Sequence, residues 1–300
     1  MNILNDFIIK TQSTKNLSSK TILAYKSDIN HYINYLPKKV EQTTISDIYE
    51  YIDALNKRGL KDTTIKRKII SLKLFYSFLY NEKVILGNPF FGVKFSFRQE
   101  KRLPKTLTVK EVSRLLATLH ENALNAKTSF SIFETTRDIC LLDLLISTGI
   151  RIGEAANITL SDLIIQEHTI LIHGKGRKQR LLYISCQETW EHLKAWIRLR
   201  KTYTPLSNYL FLNRNLSSLS IYTIENIFNK YKKLSGINEK ATPHYLRHTF
   251  ATNLLSNGAD LRSVQEILGH ASISTTEIYT EVTMKRKKQV LTKYNYRNKL

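Results

Sequence analysis

Apolar residues recur every three or four positions through most of this 300-residue chain, and only two short stretches carry a β-rich pattern instead. Such a period puts the apolar side chains on one face of a helix, so the chain must fold as packed helices with little sheet. Ile22, Tyr25, Ile29, Tyr32, Ile33 and Leu36 mark one helix. Thr44, with Asp47 three residues on, opens a second, which carries Ile48, Tyr51, Ile52 and Leu55 and stops at Gly59. A third begins at Asp62 or Thr63 and carries Ile65, Ile69, Leu72, Tyr76 and Leu79. Gly87-Asn88-Pro89 ends this pattern, and Thr108-Val109-Lys110-Glu111 restarts it with the signature of a capped helix. The expected organisation is therefore a helical domain over residues 1–87, a linker over 88–104 and a second domain over 105–300. The second is helical except at Thr169–Ile172 and Leu181–Ile184, two β-rich runs flanking a basic turn from His173 to Arg180. The fold class expected is mainly α with a small β-hairpin.

Charge narrows the function. The chain holds 46 Lys+Arg against 25 Asp+Glu, a formal net charge of +21. Residues 1–103 hold 18 basic and 9 acidic residues and the remainder 28 and 16, so both domains share the excess. That distribution fits a polyanion gripped by both domains better than a basic tail. In the third helix Lys61, Lys66, Arg67, Lys68 and Lys73 have no acid among them except Asp62, a pattern suited to phosphate contacts. The basic turn adds Arg177, Lys178 and Arg180 as candidate DNA contacts. The longest apolar run, Ile139–Ile146, is interrupted by Asp143 and is too short to span a membrane. Asn5, Asp6 and Lys10 break the N-terminal apolar stretch, against a signal peptide. Two cysteines, Cys140 and Cys186, make neither a disulfide framework nor a four-thiolate zinc site. A soluble, cytoplasmic, nucleoid-associated protein is expected, with no membrane partner.

Five segments of the second domain stand out. Arg151 lies between Gly149 and Gly153 just after the apolar run, with Glu154 three residues on. Lys175 sits between Gly174 and Gly176, glycines that let a backbone approach a phosphate. Thr242-Pro243 starts a helix on which His244, Arg247 and His248 share one face near the positive end, an anion site. Zinc is the competing reading of His-x-x-x-His, but the glutamate of a metalloprotease helix is missing and Arg247 would sit beside the ion. His270 follows the Gly269 stop of a helix capped by Asp260, and Tyr279 lies in Thr275-Thr276-Glu277-Ile278-Tyr279. Any one of these alone reads as an ordinary surface or structural residue.

Taken in order, Arg151, Lys175, His244, Arg247, His270 and Tyr279 resemble the catalytic set of the tyrosine recombinases. The local contexts match as well: Thr-Gly-Ile-Arg-Ile-Gly-Glu, Gly-Lys-Gly-x-Lys-x-Arg, His-x-Leu-Arg-His, Leu-Gly-His and Thr-Thr-x-x-Tyr. The N-terminal helices resemble the family's SAM-like core-binding module, and the length is that of the Xer-type branch. The tail departs from the family pattern, with Lys285-Arg286-Lys287-Lys288 and a tyrosine-containing end. The resemblance implies a two-domain clamp that cuts and rejoins double-stranded DNA at a specific site through a 3′-phosphotyrosyl intermediate. It implies Tyr279 as nucleophile, Arg151 and Arg247 on the phosphate oxygens, Lys175 as acid to the leaving oxygen, His244 as proton shuttle, His270 as donor and Glu154 in support. It also implies a homo- or hetero-tetramer with a second recombinase, and neither metal nor cofactor. The open roles are chromosome dimer resolution, element integration or excision, and inversion. Rival readings are a helix-turn-helix regulator over Ala251–His270, a type IB topoisomerase and a catalytically silent DNA binder. The regulator leaves Arg151, Lys175 and Tyr279 unexplained.

Overall fold

The computed structural model describes residues 3–15, 17, 19–92, 95, 105–174, 178–269 and 280–300. The chain divides into two compact units, Met1–Arg102 and Leu103–Leu300.

The first unit is built from α1 (Ile3–Lys15), α2 (Ser19–Ile33), α3 (Ile45–Lys57) and α4 (Asp62–Asn81). The Asp47 carboxylate accepts the Thr44 N–H at 2.6 Å and its hydroxyl at 2.7 Å, which fixes the start of α3. The core is aromatic. Tyr32, Tyr51, Phe75 and Tyr76 are all buried, and Tyr32 meets Tyr51 edge-on at 4.8 Å between centroids. Such pairs add about 0.5–1.5 kcal/mol beyond the area they bury. The Tyr76 hydroxyl donates to Thr43 Oγ1 at 2.7 Å, so its polar end is satisfied inside the core.

Here the cationic face expected of the third helix changes character. Lys68 is buried and its ammonium donates to Asp28 Oδ1 of α2 at 3.2 Å, while Arg67 donates to Oδ2 of the same carboxylate. Asp28 is itself 1% exposed, so an acid forty positions away in sequence engages two of the cations meant for phosphate. Lys61 and Lys73 remain exposed and Lys66 is half-buried.

The second unit runs α5 (Val109–Leu124), α6 (Ser129–Thr148), the single turn α7 (Ile152–Ala155), β1 (Leu163–Ile164), β2 (Thr169–His173), β3 (Gln179–Tyr183) and α8 (Gln187–Thr202). It continues with α9 (Ile221–Ser235), α10 (Pro243–Ser256), α11 (Leu261–Leu268) and α12 (Thr280–Tyr294), and a 3₁₀ turn over Tyr296–Lys299 follows. Helix α6 is apolar on every side over Ile139–Ile146, so it lies at the centre, with α5, α8 and α10 packed against it. Asp143, in the middle of that run, is fully buried and accepts from Arg297 Nε and His192 Nδ1, each at 2.8 Å. The three strands form an antiparallel sheet in the order β1-β2-β3, with Leu171 opposite Leu181 and Ile172 opposite Arg180. β1 is only two residues long, too short to leave an alternating pattern in sequence. The protein is thus mainly α with a small antiparallel sheet. Among the described residues, no helix is long and apolar enough to cross a membrane.

Candidate active site

Two helices end in glycines that cannot be replaced without a clash or strain. Gly149, after α6, has φ +63, and a Cβ there would lie 2.5 Å from Phe250. Gly269, after α11, has φ +67, and a Cβ would approach the Arg180 guanidinium to 3.0 Å. Each glycine lets its helix stop abruptly, which leaves backbone carbonyls at the negative end of the helix dipole.

Three arginines converge on those carbonyls. Arg247, reaching from the first turns of α10, donates to Gly149 O at 2.7 Å and Leu268 O at 2.8 Å. Arg180, on β3, donates through Nε to Ile267 O at 3.0 Å. Arg151, the residue before α7, turns its Nη2 to Gly269 O at 3.5 Å. The hairpin, α10 and the residue before α7 thus meet at the ends of α6 and α11.

Glu154 holds this cluster together. Its carboxylate takes a bidentate pair from Arg180, at 2.9 and 2.8 Å, and accepts from Arg151 Nη1 at 2.8 Å and the Arg151 N–H at 3.0 Å. Burial on its own would raise its pKa; the hydrogen bonds and charges of Arg180 and Arg151 overcome that and hold it at about 2. Desolvation, then repulsion from Arg151, lowers Arg247 to about 10, so it keeps its charge at neutral pH. Three guanidinium groups against one carboxylate leave two positive charges in excess. Arg151 keeps 40% of its side chain exposed, whereas Arg180 keeps 12%. That arrangement can receive an anion from solvent.

The other candidates divide cleanly. His244 and His248 are exposed on α10, one turn apart. Burial and the neighbouring His244 and Arg247 lower the pKa of His248. Lys178 is exposed, and its carbonyl accepts from Gly174 N–H at 2.7 Å, closing the base of the hairpin turn. Lys175, Arg177, His270 and Tyr279 lie outside the described residues. Arg180, expected as a DNA contact, directs three of its five guanidinium N–H groups to Glu154 and Ile267. Nothing local in sequence signals that pairing, since the partners are 26 residues apart and meet only when the hairpin folds onto α7. The carbonyls of Ile267, Leu268 and Gly269 are backbone groups and carry no residue signature in sequence.

The sequence profile described as the phage integrase family matches residues 105–286, and that of the phage integrase N-terminal SAM-like domain matches residues 4–83. A tyrosine recombinase of Agathobacter rectalis is 36% identical over 281 residues, spanning 92% of this chain and 90% of the relative. The tyrosine recombinase XerC of Thermodesulfovibrio yellowstonii is 37% identical over 291 residues, spanning 94% and 92%. Among solved structures, the XerH site-specific recombinase bound to palindromic difH substrate, a post-cleavage complex, superposes with a TM-score of 0.71 at 24% identity. The match covers 92% of this chain and 80% of that one.

Proposed function

This chain belongs to the phage integrase family as a Xer-type tyrosine recombinase, a site-specific recombinase, and on that premise we propose how its residues cut and rejoin DNA. The substrate is a phosphodiester of double-stranded DNA at a specific recombination site. The Tyr279 phenolic oxygen attacks phosphorus, the bond to the 5′-oxygen breaks, and a 3′-phosphotyrosyl linkage forms with a free 5′-hydroxyl. No bond energy is lost to hydrolysis, so the reverse attack by another 5′-hydroxyl rejoins the strand. As the transition state gathers a second negative charge on the non-bridging oxygens, Arg151 and Arg247 donate to them. His244 takes the phenolic proton, Lys175 protonates the leaving 5′-oxygen, and His270 donates to the phosphate.

The observation that supports this reading most is the excess of two positive charges at the ends of α6 and α11, held rigid by Glu154. A preorganised cationic site stabilises developing charge without reorganising in the reaction. Glu154 and Arg180 are therefore positioning residues, setting the Arg151 fork by fixing its Nη1 and backbone N–H. The partners follow: DNA bound by both units, and a homo- or hetero-tetramer in which four such chains exchange strands. Chromosome dimer resolution is the role that accords with the XerC-named relatives, in the cytoplasm at the nucleoid.

Tyr279→Phe tests the reading on a nicked suicide substrate, where a cleaved strand is lost and the covalent adduct accumulates. The variant is expected to bind DNA as wild type does and form no adduct. An adduct at wild-type yield would move the nucleophile to another tyrosine, with Tyr294 and Tyr296 the first to test.

A further inference from the structure

Away from the arginine cluster, α8 carries Glu188 and His192 one helical turn apart, and α5 places His120 beside them. His120 Nε2 lies 3.3 Å from Glu188 Oε1, the two imidazoles stand 5.1 Å apart between centroids, and one ligand atom from each residue falls within 4.8 Å of the others. The bland explanation is a surface ion pair with two packed rings.

The contacts behind the cluster argue for more. His192 Nδ1 lies 2.8 Å from Asp143, a buried carboxylate that can only accept, so the proton sits on Nδ1, and in the neutral ring the lone pair is on Nε2. Glu188 Oε2 is taken by Arg297 at 2.6 Å, which leaves Oε1 as the oxygen nearest His120. Arg297 also donates to Asp143 through Nε at 2.8 Å, so one residue of the C-terminal turn orients both supports. A carboxylate behind a histidine and a donor behind a carboxylate are the outer contacts that set metal ligands in place.

We propose that His120, Glu188 and His192 bind a divalent transition-metal ion, which ties α5 to α8 next to the Arg297 anchor of the C-terminal turn. Two imidazoles and one carboxylate suit zinc, cobalt or nickel, while calcium and magnesium prefer oxygen donors. Ligand atoms about 2.0–2.1 Å from a tetrahedral ion stand roughly 3.4 Å apart, and rotation of the half-exposed His120 ring closes the remaining gap. Water completes the fourth position. The ion supports structure, and no step of DNA cleavage runs through it.

Zinc alone is the probe, added to the full chain after chelation, with binding read by calorimetry and cobalt substituted to read geometry by its visible ligand-field bands. The expected result is one ion per chain, a four-coordinate cobalt spectrum and a zinc-dependent rise in unfolding temperature. His120→Gln should weaken zinc by about tenfold or more. His173→Gln, which removes an imidazole of similar exposure elsewhere, should leave affinity unchanged. Unchanged affinity in His120→Gln, an equal loss in His173→Gln, or no saturable uptake by wild type would each overturn the proposal. Suicide-substrate cleavage by His120→Gln should match wild type, so failure here is separable from failure of the recombinase reading.

Discussion

Asp28 in the first unit and Glu154 in the second are each buried between two cations, and the two arrangements have opposite consequences. In the first unit Asp28 lies beneath α4 and draws Lys68 inward together with Arg67. Its partners serve to join α2 to α4. In the second unit Glu154 takes a bidentate pair from Arg180 but a single side-chain nitrogen of Arg151, and Arg247 is held by carbonyls alone. Charge is nearly cancelled around Glu154's own oxygens, yet the surrounding cluster stays cationic. A buried acid can therefore either consume a basic surface or make it rigid. The outcome depends on how many cations share it and on whether one of them keeps donors facing solvent.

The largest effect is expected at Arg247. Arg247→Lys keeps the charge but loses the planar fork that spans Gly149 O and Leu268 O. Single-turnover cleavage at saturating protein should fall about 10²–10³-fold, the cost of losing one preorganised donor. A rate within a few-fold of wild type would show that charge alone suffices.

Next comes Asp28→Asn, which leaves Lys68 buried without a counter-charge at a cost of about 3–5 kcal/mol. Hydrogen exchange on the intact chain should show amides of α2 and α4 opening about a hundredfold faster or more, with α6 unchanged. Equal acceleration in α6 would mean that the two units unfold as one. Replacing Lys68 by Met in the same chain should restore most of the protection.

Glu154 titrates at about 2 in the folded protein against an ordinary value of 4.5. Its folded-state pKa is depressed, so the stability it adds is present above pH 4.5 and lost as pH falls toward 2. A displacement of that size is worth no more than about 3 kcal/mol. Glu154→Gln should remove that acid-dependent part of the second unit's unfolding curve between those values, and an unaltered curve would assign it to other carboxylates.

Local signals carried most of the fold. The helix period, the Thr44–Asp47 and Thr108–Glu111 caps and the glycine stops at 59 and 269 each reside in a few adjacent residues, and the structure places helix ends there. The spacing of His244 and Arg247 on one helix was legible for the same reason. What stayed hidden was pairing across long stretches of chain: Asp28 with Lys68, Glu154 with Arg180, Asp143 with Arg297. An aspartate inside an apolar run reads as an interruption until the arginine 154 positions later is folded against it. Backbone acceptors at helix ends leave no trace in composition at all.

The smallest effect separates the cations of α4. A lysine that neutralises a DNA phosphate releases a counterion, and each lost contact reduces the logarithmic salt slope of binding by about 0.9. Lys66 is half-buried and pairs with no carboxylate among the described residues, so Lys66→Gln should lower the slope by about that amount if it meets a phosphate. Lys68 is directed at Asp28 and buried, so Lys68→Met should leave the slope unchanged while altering stability. Arg67 falls between, because 44% of its side chain is exposed although one nitrogen is held by Asp28. The triple neutralisation of Lys66, Arg67 and Lys68 should then cost roughly one to two contacts, fewer than three. Specific and nonspecific DNA should suffer alike, since phosphate contacts carry no base information. A full loss of three contacts would mean that Lys68 leaves Asp28 when DNA binds, making the buried pair of the first unit a reserve of charge.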